Sequence, residues 1–100
     1  MIHELKIKKE YFEAVANYEK TFEVRRNDRD FRVGDYLGLN EFDEVGHTGR
    51  SLLCQVVYIL DDAAYCKEGY IVMGIKVRFV EKDLLNAPCN KILQRGGEEC

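Results

Sequence analysis

The sequence predicts an α+β fold: a pseudo-barrel of about five to six mostly antiparallel strands with one or two short helices. Three observations predict it. Apolar and polar residues alternate with period two in the stretches 2–8, 20–25, 36–42 and 69–80, and β-branched and aromatic residues close the run 50–60. The stretch 10–18 carries helical spacing instead. The connections between these stretches are short. They leave few residues for crossovers and favour a small, strongly curved, mixed sheet that closes on itself.

The chain has 100 residues, which suits one core. Residues 1–80 are read as one domain and 81–100 as a weakly structured tail, since Pro88 and Gly96-Gly97 interrupt the helical turn that Asp83-Leu84-Leu85 would begin. Hydrophobic content of 46% and charged content of 33% fit a globular chain. The longest apolar run, 52–60, contains Gln55 and is too short for a bilayer, so no membrane partner is expected. The first residues lack the apolar centre of a signal peptide, and a cytoplasmic location is expected. Cys54, Cys66, Cys89 and Cys100 show no CxxC spacing, so neither a metal nor a cofactor is expected. Cys54 reads as a small buried hydrophobe, Cys66 and Cys89 as free thiols, and Cys100 as terminal and exposed.

The elements follow in order. Ile2–Lys8 is a first strand whose register is open: Ile2 lies on one face, His3, Leu5 and Ile7 on the other. His3 reads either as a satisfied histidine at a strand end or as a hydrogen-bonding or proton-transfer group beside the Lys20 segment. A short helix is predicted over 9–17. Tyr11, Phe12, Val15 and Tyr18 would be its core face, with Glu10 and Glu13 in the first turn. Tyr36–Phe42 is a further strand, followed by a loop over 43–49 that would leave His47 solvated. The segment 61–68 is a polar connection. In the last strand Gly74 marks a bulge or a close approach.

The chain is organised around Lys20-Thr-Phe-Glu-Val-Arg25 and the polar run after it. Phe22 and Val24 would face the core, with Thr21, Glu23 and Arg25 on the opposite, polar face. Asn27, Asp28 and Arg29 break the alternation, and Val33-Gly34-Asp35 turns into the next strand. A polar row of this kind is either the solvated face of a sheet or a recognition surface. The net charge of −3 opposes broad polybasic binding of nucleic acid. The charge is uneven, however: residues 1–34 carry eight Lys/Arg against seven Asp/Glu, and 35–100 carry seven against eleven. A local basic groove suited to one nucleotide fits that balance.

These pieces resemble the ASCH domains of the PUA-like superfamily, and in particular a small uncharacterised bacterial and phage branch. The resemblance rests on His3-Glu-Leu-Lys6, Tyr11-Phe12, Lys20-Thr-Phe-Glu-Val-Arg25, Asn27-Asp-Arg29, Phe31, Val33-Gly-Asp35 and Gly69-Tyr70 leading to Gly74-Ile75. It covers about residues 1–78. It implies a PUA-like pseudo-barrel with a cleft beside the helix that binds RNA or a modified nucleobase. Lys20, Thr21, Glu23 and Arg25 would line that cleft, with Asn27, Asp28 and Arg29 at its rim and His3 nearby. Arg25 can grip a phosphate or a guanine edge, Glu23 can accept from an exocyclic amine, and Lys20 can contact a phosphate.

One ASCH relative is an amidohydrolase of N4-acetylcytidine, in which a lysine activates a threonine two residues beyond the threonine shared here. The corresponding residue of this sequence is Glu23, a poor substitute for a hydroxyl that must form an acyl-enzyme. The connection 61–68 is also too short for the helical insertion that supplies the relative's catalytic carboxylate. The leading expectation is therefore a non-enzymatic module for RNA or a nucleoside. The alternatives are a small amidohydrolase using Lys20, Glu23 and His3, and a protein-interaction domain. An exposed edge of the last strand would allow a homodimer.

Overall fold

The computed structural model describes residues 1–81. Within them the chain forms β1 (Ile2–Lys8), α1 (Lys9–Ala16), β2 (Phe22–Arg26), β3 (Tyr36–Phe42), β4 (His47–Leu60) and β5 (Tyr70–Glu81). The reading of a tail falls almost wholly outside the described residues. The strands make one mixed sheet in the order β1-β3-β4-β5-β2. Only β1 and β3 pair in parallel; the other pairs are antiparallel. The result is a half-barrel whose edge strands, among the described residues, are β1 and β2. The last strand, β5, lies between β4 and β2, and β2 covers its residues Tyr70–Gly74.

The inner face carries the core. His3, Leu5 and Ile7 of β1 point inward and Ile2 points out, which settles the open register. Leu37 and Leu39 of β3, Leu52, Cys54 and Val56 of β4, and Ile71, Met73 and Ile75 of β5 complete that face. Helix α1 closes it with Phe12 and Val15, both fully buried. Tyr11 and Tyr18 do not join them. They are 47% and 60% exposed, a correction to the predicted core face. An eight-residue helix buries only a narrow stripe, and Phe12 with Val15 fills it.

The helix ends in a Schellman-type cap. Tyr18 N–H donates to Val15 O at 3.1 Å and Glu19 N–H to Ala14 O at 2.9 Å, with Tyr18 at φ 62°. That left-handed position usually holds glycine.

β2 faces opposite to the predicted sense. Its register places Glu23 beside Met73, Phe22 beside Gly74 and Val24 beside Val72. Met73 is fully buried, so Glu23 shares the inner face, while Phe22 and Val24 are exposed. The inner residues of β5 fix the inner side of the sheet, and β2 must follow β5, its one ladder partner among the described residues.

Gly74 meets its expectation of a close approach. β4 bulges at Val57 opposite it, and a Cβ on Gly74 would touch Tyr58 Cβ at 3.5 Å. The loop after β3 is shorter than predicted. Asp43 and Gly46 exchange backbone hydrogen bonds at 2.9 and 3.1 Å, so His47 already belongs to β4, where it is exposed.

Two clusters of buried polar groups hold the half-barrel. In the first, Asp35 Oδ2 accepts from His3 Nε2 at 2.8 Å and from Arg32 N–H at 3.1 Å. The His3 ring also packs on Phe31, 4.6 Å between centroids. In the second, Arg50 grips Glu41 through Nε and Nη2 at 2.8 and 2.6 Å, reaches Glu13 of α1 at 2.7 Å and covers the Phe12 ring at 4.6 Å. Thr48 Oγ1 donates to the same Glu41 carboxylate. This cluster pins the helix to the β3–β4 hairpin.

Candidate functional site

The gap between the two free edges is the candidate site. β1 and β2 do not pair, and side chains span the space between them instead. Arg25 Nη2 donates to Lys6 O at 2.6 Å and Arg29 Nη1 to Glu4 O at 3.2 Å. Both carbonyls belong to β1, whose outer edge has no strand partner among the described residues. Two arginines therefore lace the half-barrel where a ladder would close a full one.

Beside this lacing lies a groove of about 490 Å³, lined by Ile7, Lys8, Tyr11, Lys20, Phe22, Glu23, Val24, Arg25 and Phe42. Glu23 is its buried acid, 3% exposed. Lys20 Nζ donates to Glu23 Oε1 at 2.9 Å, and Arg25 Nε donates to Oε2 at 2.9 Å. A lone carboxylate would not tolerate that burial; two cations, one on each oxygen, make it affordable. The unit Lys20–Glu23–Arg25 carries a net positive charge. Each carboxylate oxygen keeps a lone pair for a further donor.

The groove's other feature is aromatic. Lys20 Nζ lies 4.8 Å from the Phe22 ring centroid and 5.4 Å from that of Tyr11. Lys8 stands 6.0 Å from Tyr11, and Lys6 stands 5.9 Å from Phe42. In the groove itself the rings of Tyr11, Phe22 and Phe42 and the cations Lys8, Lys20 and Arg25 share one concave surface with the Glu23 carboxylate. Such a surface can stack a flat ring, accept from its amine and hold an attached anion.

The residues singled out in the sequence separate into groups here. Lys20, Glu23 and Arg25 meet in the groove. Thr21 does not line it; its carbonyl accepts from Ile75 N–H at 3.0 Å, and the residue lies in a second groove with Lys76, Val77 and Arg78. Asn27 and Asp28 lie beyond β2, with Asn27 N–H donating to Gly69 O at 2.8 Å. Arg29 laces the edges. His3 is held by Asp35, away from the groove, the satisfied-histidine reading of that position.

The sequence reading missed Lys8 and Phe42, and it placed Tyr11, Phe22 and Val24 in the core. One signal was available. Glu23 is bracketed by cations at i−3 and i+2, a set that can enter an interior together.

The electrostatics match this division. Burial, with the Glu23 charge adding to it, pushes the Cys54 thiol up to about 12, so Cys54 stays a protonated core residue. The hydrogen bond from His3 holds the Asp35 carboxyl below the usual range despite its burial, and that from Arg50 does the same for Glu41. Among the described residues no group of three or more His, Cys, Asp or Glu could hold a metal. No described helix is long and apolar enough to cross a membrane.

Fold and site together define a mixed half-barrel with a cationic, aromatic-lined groove between its edge strands. The chain belongs to the family described as Domain of unknown function (DUF3850), whose profile matches residues 2–75. It is also similar to the Uncharacterized 12.9 kDa protein in GpA 3'region of Escherichia phage P2, at 32% identity over 72 residues. That stretch is 72% of this chain, and the chain spans 65% of the phage protein's length.

Proposed function

We propose that this domain is an RNA-binding module of the ASCH-like, PUA-like kind that takes a single unpaired nucleotide into the groove between β1 and β2. The observation that carries the reading is the placement of Tyr11, Phe22 and Phe42 around the Lys20–Glu23–Arg25 unit. Exposed rings beside fixed charges suit an unstacked base, whose face needs a ring and whose edge needs donors and acceptors. In this reading Tyr11 and Phe22 stack the base and Glu23 accepts from its exocyclic amine. Lys8 and Lys20 meet the phosphate. Arg25 acts mainly by positioning Glu23, because it already bonds Glu23 and Lys6 O. Asn27, Asp28 and Arg29 stand at the outer end of the same edge.

The test is fluorescence anisotropy with short single-stranded RNA. Tyr11→Ala is the informative variant, since the ring is half exposed and its loss leaves the core intact. Binding by the wild type that falls about tenfold in Tyr11→Ala supports the reading. Equal binding by both proteins contradicts it, as does no binding by the wild type.

A further inference from the structure

The groove between the edge strands does not end at Lys20. That residue also lines a second groove, of about 260 Å³, between the end of α1 and the part of β5 that runs past its pairing with β2. Val15, Tyr18, Thr21, Ile75, Lys76, Val77 and Arg78 complete its wall. The two grooves share Lys20 and adjoin there. Their combined walls hold Lys8, Lys20, Arg25, Lys76 and Arg78 against the single carboxylate of Glu23. The whole chain carries −3, so this path is locally opposite in sign to the chain's net charge. A continuous cationic path favours an anionic polymer over an isolated nucleoside.

The second observation is the backbone of Tyr18. It occupies the left-handed position after α1 at φ 62°, where a bulky side chain is uncommon and glycine is the ordinary choice. Its ring is 60% exposed and lines the second groove. The strain therefore does nothing for the core. It sets an aromatic face beside Lys20, Thr21 and Lys76. Lys76 makes no ion pair or side-chain hydrogen bond with another described residue, while Arg78 is fixed by two hydrogen bonds to Gln55 Oε1 at 3.0 and 2.9 Å.

We propose that the second groove holds the nucleotide adjacent to the one between β1 and β2. Tyr18 stacks its base, and Lys20, Lys76 and the Thr21 hydroxyl take the phosphate that joins the two. This assignment rests on the RNA-binding reading above and makes the ligand a stretch of single strand rather than a free nucleoside.

Tyr18→Gly provides the discriminating experiment, paired with Lys76→Gln. Thermal unfolding and anisotropy titrations with a mixed-sequence RNA oligonucleotide are measured over a range of salt. Titrations with nucleoside monophosphates run alongside. Tyr18→Gly relieves the strained position, so its melting temperature should rise while its oligonucleotide affinity falls about tenfold. Lys76→Gln should lower the slope of log affinity against log salt by about 0.7, the value for one phosphate contact on a single strand. Neither change should alter monophosphate binding.

Oligonucleotide binding that depends on Tyr11 but not on Tyr18 or Lys76 overturns this inference and leaves the first groove standing. Dependence on Tyr18 and Lys76 without Tyr11 overturns the first groove instead. No binding by the wild type overturns both.

Discussion

At the residue scale the decisive group is Glu23. Alternation along the strand assigns it correctly to the face opposite Phe22 and Val24, but it does not say which face is inside. Inspection of β2 alone favours the apolar pair. The ladder with β5 reverses this, because Met73 lies beside Glu23 and Met73 is fully buried. Removing the acid should expose the cost of the arrangement. Glu23→Ala leaves the Lys20 and Arg25 cations facing each other without their shared partner, and should lower stability by about 3 kcal/mol in urea unfolding. Glu41, at 1% exposure, is the parallel case outside the groove. Its folded pKa lies below the ordinary 4.5, so its ion pair with Arg50 stabilises the fold fully above that value and is lost as pH falls through the folded value. Asp35 acts in the same direction from its ordinary 3.8. Melting temperature should therefore hold from neutral pH down to the ordinary carboxylate range and drop below it. The acid-side drop should be smaller in Glu41→Gln. An acid-side loss unchanged by that substitution would show that Glu41 is not its source.

At the element scale the sequence was legible wherever periodicity was strong. β1 and β3 have the predicted bounds, and α1 differs by one residue at its end. The β4 start was missed because Asp43 and Gly46 close a tight turn that leaves Thr48 free to bond Glu41, a contact between residues 7 apart in sequence. No local pattern announces it. The misjudged helix face has a similar origin: four residues had helical spacing, yet only Phe12 and Val15 meet the sheet. The turn into β3 is a clearer case of legible chemistry. Val33-Gly34-Asp35 reads as a turn, and Gly34 sits at φ 99° with its N–H on Val56 O at 2.8 Å. Gly34→Ala should destabilise by about 1–2 kcal/mol through backbone strain alone, since nothing lies within 4 Å of the added methyl. A melting temperature equal to the wild type's would contradict that account.

At the scale of the whole molecule, the half-barrel formed by the described residues stays open between β1 and β2, and the opening is where aromatic and cationic side chains collect. A sheet of five strands with one helix agrees with the predicted α+β pseudo-barrel. The Lys20–Arg25 piece that carried the resemblance to a known domain contributes Lys20, Glu23 and Arg25 to the groove. The resemblance did not separate residues that line the groove from residues that hold the barrel. His3 and Asp35 bind each other, Arg29 laces the edges, and Lys20, Glu23 and Arg25 meet in the groove. That distinction depends on which strands are edges, and strand order is not written in any local stretch. The measurement that tests the central claim most directly is amide chemical-shift mapping of the isotopically labelled protein during titration with short single-stranded RNA. The account predicts shifts concentrated at Lys8, Tyr11, the β2 residues 22–25 and Phe42. Shifts confined to the outer face of β4, or no shifts at saturating RNA, would contradict it.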